Sequence, residues 1–106
     1  SMRPKAMARL GLSYADFQTT KPDIIYCGCY GFGKEGPYAD RPAYDDVIQG
    51  ASGLSSIMGF NSGEPKHVPA LLADKTSGMA VTQAIAFALL HRERTGEGQS
   101  IEVPVF

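Results

Sequence analysis

Over residues 78–90 only Thr82 and Gln83 interrupt an apolar stretch, set within a helical pattern that covers residues 76–95. A helix that is apolar around most of its circumference needs cover on more than one side, so the fold has to supply a sheet or further helices against it. The stretch is shorter than the roughly 20 apolar residues that span a bilayer, so the expected cover is protein rather than lipid. Its end is well marked. His91, Arg92 and Arg94 bring cations to the negative end of the helix dipole, and Gly96 stands where a left-handed cap is needed.

Strand patterns lie on either side. Residues 24–30 (Ile-Ile-Tyr-Cys-Gly-Cys-Tyr) form a nearly continuous apolar run with β-branched and aromatic members, which suits a strand covered on both faces. Residues 68–73 predict a second short strand and residues 99–106 a third. A helix is expected over residues 43–58, with Val47, Ile48, Ala51 and Leu54 on one face and with Gly50 and Gly53 weakening it. Ahead of all these, Pro4 opens a short helix over residues 5–10, and Ser13 is placed to cap another over residues 14–20. Strands separated by helical crossovers make a βαβαβ order. The predicted class is therefore α/β, a partial Rossmann-like parallel sheet preceded by two short helices.

The 106 residues are 43% apolar and 20% charged, an ordinary globular balance that argues against bulk disorder and leaves room for one core. A compact chain of this size buries roughly two-thirds of its unfolded surface. The formal charge of −1 provides no positive field, so neither nucleic acid nor an anionic membrane is expected as a partner. The start, Ser1-Met2-Arg3-Pro4, lacks the apolar segment of a signal peptide, and the expected location is cytoplasmic.

Four features bear on chemistry. Residues 31–36 (Gly-Phe-Gly-Lys-Glu-Gly) spell GxGxxG after a predicted strand, but a dinucleotide site needs the third glycine inside a helix, whereas Pro37 and Pro42 here bracket a loop. Position 56 is Ser where an acidic ribose ligand would stand, so loop geometry is the better account of the glycines. Cys27 and Cys29 would share one strand face about 7 Å apart, too far for an unstrained disulfide. With His67 and His91 they nominally supply four zinc ligands, yet the spacing fits no finger or ribbon, and small buried residues explain the cysteines better. No metal is expected.

Asp74 stands between the second predicted strand and the long helix. One explanation is an N-cap. The other uses the same position: the C-terminal end of a parallel strand beside a helix N-terminus is where open α/β sheets bind ligands, and the dipole keeps a carboxylate ionised there. An ionised carboxylate is a nucleophile that needs no general base, which suits acyl transfer through a mixed anhydride. Arg3, Lys5 and Arg9 form a basic patch on the first helix, either a solvated face or a contact for the phosphates of an anionic cofactor such as coenzyme A.

These motifs in order, from Arg3-Pro4, Met7-Ala8-Arg9-Leu10-Gly11-Leu12 and Ile25-Tyr26-Cys27, through Gly36-Pro37-Tyr38, Arg41-Pro42-Ala43-Tyr44-Asp45 and Ser52-Gly53-Leu54, to Ala73-Asp74 and Arg92-Glu93-Arg94-Thr95-Gly96, strongly resemble the class III CoA-transferases. This CaiB/BaiF family includes formyl-CoA and carnitine CoA-transferases. The resemblance covers almost the whole chain but only about a quarter of a family polypeptide. It implies that residues 1–106 are a single segment of the large CoA-binding domain of a longer enzyme, inactive in isolation because the parts that shield the intermediate are missing. It also implies that Asp74 attacks an acyl-CoA thioester and passes through aspartyl anhydride and aspartyl-CoA thioester intermediates. The implied partners are acyl-CoA and a carboxylic acid, with no permanently bound cofactor, and family members are interlocked homodimers.

By the same resemblance Arg9 contacts the CoA nucleotide with Ala6 and Leu10 beside it, and positions 1 to 3, ending in Arg3, match a corner that touches CoA, with Ser1-Met2 replacing the usual Asn-Phe. Arg41, Pro42, Ala43 and Tyr44 match the loop lining the CoA thiol end, Pro42 standing where some members have lysine. The family's acyl-CoA racemases carry histidine where this chain has Tyr44, a poor base at neutral pH, so transferase is preferred over racemase. A non-catalytic CoA-binding or assembly module is the alternative. Asp45 and Asp46 are expected to face solvent or to cap the helix that follows them.

Overall fold

The computed structural model describes residues 3–106. Ile25–Tyr30 (β1) pairs in parallel with Gln99–Pro104 (β2), with Ile25 opposite Gln99, Cys27 opposite Ile101 and Tyr30 opposite Pro104. Parallel strands cannot be joined by a tight turn, and the connection here is helical. Before the sheet come α1 (Pro4–Arg9) and α2 (Tyr14–Gln18). Proline occupies the first turn of α1, and Ser13 makes a reciprocal capping box with Asp16 on α2, its backbone N–H donating to Asp16 Oδ2 over 2.8 Å. Between the strands come α3 (Asp45–Ala51), α4 (Leu54–Met58) and α5 (Leu72–Thr95), and α5 packs against both strands.

The α/β class, the parallel sheet, the helical crossovers and the two leading helices agree with the expectation. Its middle strand does not. Residues 68–70 form no ladder, because the buried Gln49 side chain takes their backbone groups: Val68 N–H donates to Gln49 Oε1 over 2.8 Å, and Gln49 Nε2 donates to the Ala70 carbonyl over 3.2 Å. The chain then turns directly into α5, which starts at Leu72 rather than near residue 76. Among the described residues the order from the first strand on is thus βαααβ, with two strands. The helix expected over residues 43–58 is two helices, broken at Gly53, whose φ of 81° no helix interior holds.

The long helix is covered on one side only. Met79 and Phe87 are 67% and 72% exposed, and Tyr30, Phe32, Ile48 and Ala88 are the buried hydrophobic residues among those described. The accessible surface is 7352 Å², against about 5,700 Å² for a compact chain of this mass. The radius of gyration is 16.5 Å, against about 13 Å for a compact domain of this length. Two-thirds burial is therefore not reached, and the apolar surface left open is of the kind that other protein surfaces cover. No helix among the described residues is long and apolar enough to cross a membrane.

Candidate active-site clefts

The chain leaving β1 passes so close to the start of the next segment that a Cβ at Gly31 would lie 2.2 Å from the Ala43 Cβ. Only glycine permits that approach, and it folds residues 39–44 back over α1. The result is a cleft of about 320 Å³ whose lining includes Arg3, Ala6, Arg41, Pro42, Ala43 and Tyr44. Six of the eight residues expected at CoA are thus brought together. Arg9 lines an adjoining pocket of about 150 Å³ with Arg3, Lys5, Ala6 and Asp40. Leu10 joins neither and is 62% exposed. Of the corner matched at positions 1 to 3, only Arg3 is among the described residues.

The cations here are held by specific contacts. The Arg41 guanidinium sits 4.7 Å from the centre of the Tyr38 ring. Lys5 Nζ pairs with Asp40 over 2.6 Å, and Arg3 Nη1 donates to the Asp40 carbonyl over 3.4 Å. These pairs are exposed and add little stability. Their consequence is the placement of Arg3 and Arg41; with Arg9, three arginines border two neighbouring hollows, and guanidinium groups suit bidentate recognition of phosphates.

A second cleft, of about 460 Å³, opens beside Asp74. Tyr44 lines both, so the two flank that side chain. Asp74 is the third residue of α5, and Leu71, not Asp74, occupies the N-cap position. Its side chain is exposed, and no group among the described residues bonds to its carboxylate. Its backbone N–H donates to Asp45 Oδ1 over 2.8 Å. Asp45 corrects the expectation placed on it, being only 5% exposed and capping α5 rather than its own helix. Its Oδ2 accepts from Gln49 Nε2 over 2.6 Å. Burial alone raises the Asp45 carboxyl, but the N–H of Asp74, the Gln49 amide and the N–H groups of Ala73 and Leu72 outweigh it and hold the acid below its ordinary range. The Asp45 and Gln49 spacing of four, facing neighbours on a helix, was the available signal for this pair.

The other candidates separate. The GxGxxG loop is a run of turns with no helix until Asp45, tied to the sheet where Lys34 N–H donates to Glu102 Oε1 over 2.6 Å. Cys27 and Cys29 stay on β1, and burial, with Cys29 nearby, pushes the Cys27 thiol up. His67 bonds to Ser55 through Nδ1 at 2.9 Å, and His91 lies 3.9 Å from Glu97 at the far end of α5. Among the described residues no three His, Cys, Asp or Glu side chains cluster as metal ligands.

Comparison with known proteins bears on these clefts. The sequence model of CoA-transferase family III matches residues 1–106. The chain is 42% identical over 97 residues to the succinate–glutarate CoA-transferase of Agrobacterium fabrum, an alignment covering 92% of this chain and 24% of that protein. It is 41% identical over 107 aligned positions to the acetyl-CoA:oxalate CoA-transferase of Acetobacter aceti, covering 100% and 28%. Its backbone matches the crystal structure of a CaiB/BaiF family protein from Brucella suis with a TM-score of 0.93 at 37% identity, covering 99% of this chain and 28% of that one. The chain spans about a quarter of the length of the curated relatives it matches.

Proposed function

The chain belongs to CoA-transferase family III, and from that premise we propose that it is the CoA-contacting, nucleophile-bearing part of a longer CoA-transferase. The reaction moves CoA from an acyl-CoA to a carboxylic acid. CoA binds along the cleft bordered by Arg3 and Arg41, with Arg9 in the adjoining pocket taking phosphate charge, and its thioester end reaches Asp74 past Tyr44. The observation that carries this reading is that Tyr44 borders both the arginine-lined cleft and the cleft beside Asp74.

In the first step the Asp74 carboxylate attacks the thioester carbonyl carbon, the C–S bond breaks and CoA leaves as thiolate, giving an aspartyl acyl anhydride. The thiolate then attacks the Asp74 carbonyl, releasing the donor acid as its carboxylate and leaving an aspartyl-CoA thioester. The acceptor carboxylate attacks that thioester to give a new anhydride, and the returning thiolate takes the acceptor's acyl group and frees Asp74. No proton changes hands, which agrees with a nucleophile to which no base among the described residues is bonded. Water would intercept the anhydride, and Asp74 is exposed, so turnover is expected only where the remainder of a longer polypeptide closes the site. The exposed Ile57, Phe60, Met79 and Phe87 support a segment that is covered by further chain in a homo-oligomeric enzyme.

The test is trapping. In the full-length polypeptide carrying this segment, acyl-CoA followed by hydroxylamine should leave a hydroxamate at Asp74, absent in Asp74→Asn. No hydroxamate, with CoA still raising the unfolding temperature, would instead favour a non-catalytic CoA-binding module.

A further inference from the structure

The cleft beside Asp74 is lined by three carboxyl groups, from Asp45, Asp46 and Asp74, and by a single imidazole, that of His67. An acid co-substrate must enter this cleft as an anion, against like charge. Asp45 is already bonded to the Asp74 N–H and the Gln49 amide, and the Gln49 amide is committed to Asp45 and to the carbonyls of residues 68 and 70. Tyr44 has a hydroxyl that no bond among the described residues holds in place.

His67 is different: its side chain is exposed, and one hydrogen bond orients its ring. The ring nitrogen Nδ1 lies 2.9 Å from the hydroxyl of Ser55, which is 6% exposed. The backbone is pinned on both sides: Lys66 N–H donates to the Ser55 carbonyl over 2.9 Å, and Val68 N–H donates to Gln49 Oε1 over 2.8 Å. Nothing else among the described residues bonds to the ring. We assign the Ser55 hydroxyl as the donor to Nδ1, which leaves the ring proton on Nε2 as a donor for a ligand.

We propose that His67 binds the acid co-substrate, its Nε2–H donating to a carboxylate oxygen in the Asp74 cleft while Ser55 holds the ring. This rests on the transferase reading above and adds to it a residue that discriminates the acid from CoA. The hydrogen bond to an ionised acceptor is of the strong kind, and its removal should weaken acid binding about tenfold.

The experiment uses the full-length polypeptide, succinate as the probe acid and CoA as the control ligand, both titrated by calorimetry. His67→Asn keeps an atom for Ser55 near Nδ1 and lacks the Nε2 donor, whereas His67→Gln places an amide N–H near Nε2. The expected result is a Kd for succinate raised about tenfold in the Asn variant and near that of the unmodified protein in the Gln variant, with CoA affinity unchanged in both. An unchanged succinate Kd in the Asn variant, succinate and CoA weakening together, or no succinate binding to the unmodified protein would overturn the proposal. Failure of the transferase reading shows separately, as absence of the Asp74 hydroxamate while the succinate titration still responds to the His67 variants.

Discussion

The backbone N–H of Asp74 donates to the buried carboxylate of Asp45 over 2.8 Å, joining the first turn of α5 to the first residue of α3. One acid is thereby consumed in placing another. Asp45→Ala removes the acceptor and leaves the Asp74 N–H and the Gln49 amide without it. We expect kcat in the full-length enzyme to fall by about a hundredfold, the scale of a small misplacement of a reacting group, with KM for acyl-CoA unchanged. Steady-state kinetics on both substrates checks this, and a rise in KM alone would place Asp45 in CoA binding.

The same carboxylate makes stability depend on pH in a defined sense. The folded acid is held below its ordinary value of 3.8, so its contribution is fully present above that value and is lost as pH falls through the lower folded one. Asp16, held down by Ser13, and Asp23, held down by Lys21, act in the same direction. Urea midpoints should be level from neutral pH to about pH 5 and fall below about pH 4. In Asp45→Asn the fall should be shallower, and an identical profile would show that Asp45 contributes nothing to it.

Gln49 is 2% exposed and its amide serves Asp45, Val68 and Ala70 together. Gln49→Leu fills the space and strands those partners. Because each buried group left unpaired costs about 1–3 kcal/mol, the loss of stability should reach at least about 2 kcal/mol. Hydrogen exchange should show residues 67–70 losing protection before the sheet does.

Gly31→Ala inserts a methyl group where the Ala43 Cβ already stands. Over-packing of this kind costs about 1–3 kcal/mol, and relief has to come from moving residues 39–44 away from β1. The expected outcome is a lower unfolding temperature together with weaker CoA binding, both read in one thermal-shift titration.

Arg41 stacks on Tyr38 at the edge of the first cleft. Arg41→Ala should raise the Kd for CoA about tenfold, and more steeply as salt is lowered, because a charge-assisted contact is lost. Arg41→Lys should recover only part of this, since lysine lacks the planar fork that both stacks and binds in two places.

What could be read along the chain was local. The apolar run of β1, the N-cap at Ser13, Pro4 at the start of α1, and the cations and Gly96 closing α5 each depend on neighbours within a few residues, and each stands as expected. The residues expected at CoA were picked out through motif order, and the fold gathers six of them into one cleft. Residues 68–73 misled because an apolar, β-branched start bounded by turns looks like a strand, while Pro69 and a side chain 19 positions away decide where its backbone bonds go.

The sequence by itself determined the α/β class, the parallel pairing implied by helical crossovers, the family resemblance and the place of Asp74 near the start of the long helix. Only the tertiary structure decided that Asp45 holds the Asp74 backbone from 29 positions away, that Gln49 replaces a strand, and that Ser55 orients His67 from 12 positions away. The physical reason is the same in each case. A polar side chain on a helix has several partners it could satisfy, and nothing in its own neighbourhood selects among them; the choice is made when packing removes water and leaves only particular donors and acceptors within reach.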